Sequence, residues 1–131
     1  MGRKKARDNA FKCIYQIGFD FNQNAEGILE YSYEENENTE DEKEYISQLL
    51  KGVITNIDAI DDEILKNLKG WSIDRIAKID LAILRLAIYE IKHAKDIPVK
   101  VSLNEAVELA KTYGNDNSAN FVNGLLAKVI L

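Results

Sequence analysis

Between Ile79 and Ile91 the chain reads IDLAILRLAIYEI, a stretch whose helical projection is apolar on nearly every side. A helix without a polar face belongs at the centre of a bundle, touched from several directions. The rest of the chain must therefore supply helices with one apolar stripe each. Helical spacing of apolar residues recurs along most of the sequence, and strand-like alternation does not appear. The expected class is all-α.

The central segment extends from Ser72 to Lys95, with a phase shift near Lys78–Asp80 that marks a break, and Pro98 stops it. Before it, Ala10, Cys13, Ile14, Ile17 and Phe21 mark one face of a first helix over roughly Arg3 to Asn22. A short helix follows from Ala25 to Glu35. Thr39 with Glu42 is a capping-box pattern. It opens a third helix whose stripe is Ile46, Leu49, Leu50, Val53, Ile54 and Ile57. Asp58 to Leu68 makes a fourth, ended by Gly70. After Pro98, Ser102 with Glu105 predicts a second capping box, ahead of a stripe of Leu103, Ala106, Val107, Ala110 and Tyr113 closed by Gly114. Asp116 or Asn117 caps the last helix, with Val122, Leu125, Leu126, Val129 and Ile130 inward. Gly52 and Gly124 stand alone in helical patterns, where glycines usually permit close packing. The whole, residues 1–131, is expected to form one domain of two packed helical bundles. Its halves run about 1–70 and 71–131, meeting near Gly70–Trp71.

No apolar run approaches the roughly 20 residues of a membrane span. The basic start MGRKKARDNAF lacks the apolar core of a secretory signal, so a cytoplasmic location is expected. One cysteine, Cys13, excludes an internal disulfide. The formal net charge of −5 argues against indiscriminate nucleic-acid binding, but it hides two poles. Arg3, Lys4, Lys5 and Arg7 crowd the N-terminus, opposed only by Asp8, while eight acidic residues lie between Glu30 and Glu44. A basic terminus on an acidic chain confines phosphate binding to one place.

Catalytic machinery is not visible. His93 is the one histidine and lies at the end of a helix, where a cation complements the dipole. Clustered Cys and His ligands for zinc are lacking, and the glycines form no phosphate loop. Neither a cofactor nor a metal is expected, nor an enzyme.

Two groups of residues remain. At about 100° per residue, Tyr15 projects away from the first helix's stripe, either as plain surface or as an interface anchor. Cations in the first turn of a helix oppose its dipole, so the basic start is either offset by a phosphate partner or a disordered, solubilising tail. Tyr113-Gly114-Asn115-Asp116-Asn117-Ser118 with Asn120-Phe121 forms an amide-rich turn flanked by aromatics. Such aromatics serve either as core or as stacking platforms for unpaired bases.

The segments RKKARDNAFKCIYQ, LLKGVITN, IDRIAKIDLAILRLAIYEI, IPVKVSLNEAVELAKTYG and FVNGLLAKV, in this order, resemble the NusB family of transcription antitermination factors. The resemblance implies an all-α fold of two packed three-helix bundles. It implies binding to boxA-type single-stranded RNA together with NusE, a small-subunit ribosomal protein. Other Nus factors and elongating RNA polymerase would be reached indirectly, in ribosomal RNA transcription. It assigns Arg3, Lys4, Lys5, Arg7, Tyr113, Asn117, Asn120 and Phe121 to RNA, and Tyr15 and Asp80 to the NusE-facing surface. Some members of the family form homodimers that cover the RNA surface. The competing expectations are a helical adaptor without RNA binding and the N-terminal domain of a ribosomal RNA cytosine methyltransferase. The latter requires a catalytic domain that the sequence to Leu131 does not contain.

Overall fold

Every residue from Asp80 to Ile88 is buried, which is what an all-round apolar helix requires of its surroundings. The computed structural model describes residues 3–68, 70 and 72–131. Its helices are α1 (Arg3–Ile17), α2 (Ala25–Glu35), α3 (Glu40–Thr55), α4 (Ile57–Lys66), α5 (Lys78–His93), α6 (Val99–Tyr113) and α7 (Ser118–Ile130). A single 3₁₀ turn, Ile73–Arg75, precedes α5, so the phase shift at Lys78–Asp80 corresponds to a change of helix rather than a kink. Among the described residues there is no strand, and no helix is long and apolar enough to cross a membrane.

The helices form two packed three-helix bundles. α1 packs on α2 and α3, and α5 packs on α6 and α7. α5 also lies against α1, α3 and α4, so the second bundle's first helix is the floor of the first bundle. One apolar cluster runs through both, from Ala6 and Ile14 through Leu50, Ile83 and Leu84 to Leu126. Gly70 adopts φ 75° at the expected junction, and Trp71 lies outside the described residues.

Local signals explain most element ends. The Thr39–Glu42 capping box forms in both directions and opens α3. Gly52 lets the Tyr89 ring lie on the backbone of α3: a Cβ there would sit 2.2 Å from the ring. Gly124 serves no such purpose, since a Cβ would meet open space. α1 ends at Ile17, five residues short of Asn22, because Gly18 to Asn24 fold into a turn that hydrogen-bonds back onto the helix end. The Ser102–Glu105 capping box does not form. Pro98, whose fixed φ suits a helix start, opens α6 at Val99, and Ser102 falls inside the helix with its hydroxyl buried and without a partner among the described residues.

Three charges interrupt the apolar run of α5: Asp80, Arg85 and Glu90. Arg85 forms a paired contact with Asp61 of α4, at 3.0 and 2.9 Å, beneath the ring of Phe21. Glu90 receives Arg7 of α1 through Nε at 3.0 and 3.2 Å and through Nη2 at 3.0 Å. The hydroxyl of Tyr45, on α3, donates to the same carboxylate at 2.6 Å. Both members of the pair are deeply buried, so each carries a desolvation cost that the other must offset. Burial lowers the Arg7 pKa, but Glu90, Tyr45 and Glu105 together hold it above its ordinary value. Burial, and then Glu90, push the Tyr45 phenol well above its ordinary range.

Two outcomes follow from this cluster. Glu90→Ala leaves a guanidinium buried without its partner and should cost about 3–5 kcal/mol in urea unfolding; a loss below about 1 kcal/mol would mean that water solvates Arg7. The Tyr45 pKa is higher folded than unfolded. Its contribution is therefore complete below about pH 10 and lost as the pH rises further. Tyr45→Phe should be less stable near neutrality yet show a shallower alkaline decline, read as unfolding free energy against pH.

Candidate nucleic-acid and partner interface

The first turn of α1 carries Arg3, Lys4 and Lys5 and no acidic residue. Lys4 and Lys5 are exposed, and the Lys5 ammonium donates to the carbonyl of Glu37 in the α2–α3 turn. Arg3 reaches across to Asp96, 3.1 Å away, and lies 5.3 Å over the Tyr45 ring. Its hydrogen bond holds the Asp96 carboxyl below the usual range. Arg7 departs from the sequence expectation. It is only 4% exposed and its guanidinium is engaged by Glu90, so its charge serves the core rather than a phosphate.

The aromatic turn sits against the same helix. The Tyr113 ring packs 5.0 Å from Phe11 of α1, and its hydroxyl donates to Oδ1 of Asp8 at 2.7 Å. Lys12 pairs with Asp8 at 3.3 Å and stands 5.8 Å over the Tyr113 ring. Burial and the bond to Asp8 raise the Tyr113 phenol pKa. Beyond Tyr113, the Asn117 N–H donates to the Asn115 side chain at 2.8 Å, and the Asn115 N–H donates to the Ser118 hydroxyl at 3.0 Å. Gly114 admits Ser118, whose Cβ and hydroxyl would lie 2.4 Å from any Cβ at that position. Asn117 precedes α7 without capping it, so its amide stays at the surface, as does that of Asn120. Phe121 is half-buried, packed against the core from one turn into α7. A cleft of about 570 Å³ between α1 and α6, lined by Lys4, Lys5 and Asp8 opposite Glu105, Glu108 and Thr112, joins the basic start to this region.

Tyr15 and Asp80 come together at a second cleft, of about 410 Å³. Its opposite wall is Tyr113, Gly114, Asn115 and Ser118, so the two residues expected to face a protein partner border the turn expected to face RNA. Tyr15 is half-buried rather than freely outward: its ring meets Phe19 edge-on at 5.0 Å and lies 6.4 Å from Phe11. Phe19 itself is 58% exposed, with Lys78 over its face. Asp80 is 7% exposed, and its Oδ1 has no hydrogen-bond partner among the described residues. A carboxylate in the first turn of a helix is favoured by the dipole, which explains its tolerance there but leaves the orphan oxygen unmatched.

Asp8, Phe11, Lys12 and Phe19 were not singled out from the sequence. Asp8 and Lys12 carry a local signal, an i,i+4 pair on one face. Their meeting with Tyr113 across 105 positions carries none.

Fold and surface together define a class: an all-helical binding module with a basic, aromatic surface adjoining a partly apolar cleft. The sequence matches the NusB family over residues 4–131, and the chain belongs to that family. It is 48% identical to the transcription antitermination protein NusB of Acetivibrio thermocellus, over 99% of this chain and 89% of that one. The fold is similar to that of NusB from T. maritima, with a TM-score of 0.92 and 38% identity, covering 99% of this chain and 91% of that one. It also resembles a solved structure of the antitermination factors NusB and NusE in complex with double-stranded RNA, with a TM-score of 0.88 and 30% identity, covering 99% and 98%.

The close approach at the α6–α7 turn gives a direct check. Gly114→Ala should force Ser118 aside and lower stability by about 1–3 kcal/mol, seen as an earlier thermal transition with an unchanged helical signal. An unshifted transition would mean that the turn relaxes freely.

Proposed function

We propose that this chain is a transcription antitermination factor that binds boxA-type single-stranded RNA together with NusE. In this reading it acts on elongating RNA polymerase during ribosomal RNA transcription, with other Nus factors reached indirectly. Arg3, Lys4 and Lys5 supply phosphate attraction. Tyr113 and Phe121 supply ring faces, Asn117 and Asn120 supply amides for base edges, and Tyr15 and Asp80 face NusE.

The observation that carries the reading is the unpartnered Asp80 oxygen in a cleft shared with Tyr15 and the Tyr113–Ser118 turn. A buried carboxylate oxygen costs free energy until a donor reaches it. A protein partner that displaces the cover over this oxygen supplies that donor, and in the same cleft it touches the wall that presents the RNA-side residues. The solved relative that holds NusE and RNA at once supports both kinds of partner. Its RNA is double-stranded. Preference for a single strand rests on the aromatic turn, because base faces are available for stacking only when bases are unpaired.

The test is a titration of a boxA-type single strand and its duplex, each with and without NusE, at one fixed salt concentration. The single strand should bind more tightly than the duplex, and more tightly still with NusE. Equal binding of duplex and single strand would remove the stacking basis, and NusE association without any RNA binding would favour the adaptor. In parallel, Asp80→Asn should change the free chain's stability by less than about 1 kcal/mol. It should nevertheless weaken NusE association by about tenfold, the difference between a hydrogen bond to a charged acceptor and one to a neutral acceptor.

A further inference from the structure

Asp8 is an anion placed among the cations of a surface read as meeting a polyanion. Coulombic reasoning alone assigns it a repulsive part. Its contacts assign it another. The carboxylate accepts the Tyr113 hydroxyl at 2.7 Å and pairs with Lys12, which stands over the Tyr113 ring. Phe11, three residues along the same helix, packs beside that ring at 5.0 Å with a 30° tilt. Tyr113 is thus held by its ring, by its hydroxyl and by a cation, all from α1.

Tyr113 is the last residue of α6 and only partly buried, so without these holds its side chain would sample several rotamers. A ring that is already oriented pays no ordering cost when a base stacks on it. We propose that Asp8 is a positioning residue for RNA recognition: its carboxylate tethers Tyr113 in a stacking orientation, so that this anion strengthens binding to a polyanion. The inference rests on the single-stranded RNA reading given above.

The sign of one substitution separates positioning from charge. Binding of a boxA-type single strand is measured at fixed salt, with wild-type NusE present, for the intact chain, Asp8→Ala, Asp8→Asn, Tyr113→Phe and the double variant Asp8→Ala/Tyr113→Phe. Asp8→Ala makes the surface more positive, yet should bind about five- to tenfold more weakly because the tether is lost. Asp8→Asn keeps an acceptor for the phenol and should bind at least as tightly as the intact chain. Tyr113→Phe should match Asp8→Ala, and the double variant should be no weaker than either, as expected of two halves of one interaction. NusE association should be equal for the intact chain, Asp8→Ala and Asp8→Asn, which a general loss of structure would not leave untouched; Tyr113 borders the NusE cleft, so the Tyr113 variants are compared on RNA binding with NusE at saturation. Tighter binding by both Asp8 variants, or additive losses in the double variant, would overturn the inference while leaving the functional reading in place. An intact chain that binds no single strand would overturn both.

Discussion

The carboxylate of Glu90 is the point on which the arrangement of helices depends. It lies on the innermost helix, α5, and is bonded by Arg7 of α1 and Tyr45 of α3. A carboxylate this deeply buried is unstable alone, and so is the guanidinium beside it. Each makes the other tolerable only in one mutual position. Apolar packing is forgiving about small slides and rotations, whereas three directed hydrogen bonds to one guanidinium are not. Glu90 therefore fixes the azimuth of α1 about its own axis, and with it which α1 residues look outward. Lys4, Lys5, Asp8 and Lys12 face the surface because Arg7 faces Glu90.

The same logic runs along α5. Arg85 settles α4 through Asp61, and Glu90 settles α1 and α3. Asp80, the remaining charge within its apolar run, finds nothing for its Oδ1 among the described residues. Two of the three polar interruptions in an apolar helix are internal fastenings and the third opens onto a cleft. That contrast marks Asp80 more sharply than its exposure does, since all three are nearly inaccessible to solvent.

Much of the fold was legible in the sequence because its determinants are local. The all-round apolar run placed α5 at the centre, the bounds of α2 agree residue for residue, and the Thr39 box formed as its spacing implied. Ser102 shows where a local pattern misleads: its capping-box spacing is genuine, but Pro98 starts the helix earlier and strands the hydroxyl inside. The surface was legible only in part. Position within a basic run suggested that Arg7 is solvated, and no neighbour in sequence could reveal Glu90, 83 residues away. A glutamate embedded among buried apolar residues is itself a request for a buried cation, and that was the available signal. Tyr15 was displaced from its expected exposure by a near neighbour, Phe19, four residues on, which the turn after α1 carries back toward it.

The lengths of chain between these fastenings bear on the order of assembly. During synthesis, α1 to α4 leave the ribosome before the helix that supplies their floor. Until Glu90 emerges, Arg7 has no counter-ion of comparable burial, and the stripes of α1 and α3 face a space that only α5 fills. The link from Asp8 to Tyr113 closes later again. Contacts of such separation slow folding relative to helical bundles closed by adjacent hairpins. At about 5–20 residues per second, the first bundle spends several seconds as an open, apolar-faced intermediate. The dense negative charge between Glu30 and Glu44 lies on that waiting half, where like charge disfavours association of neighbouring chains, and it meets the basic start where Lys5 reaches Glu37.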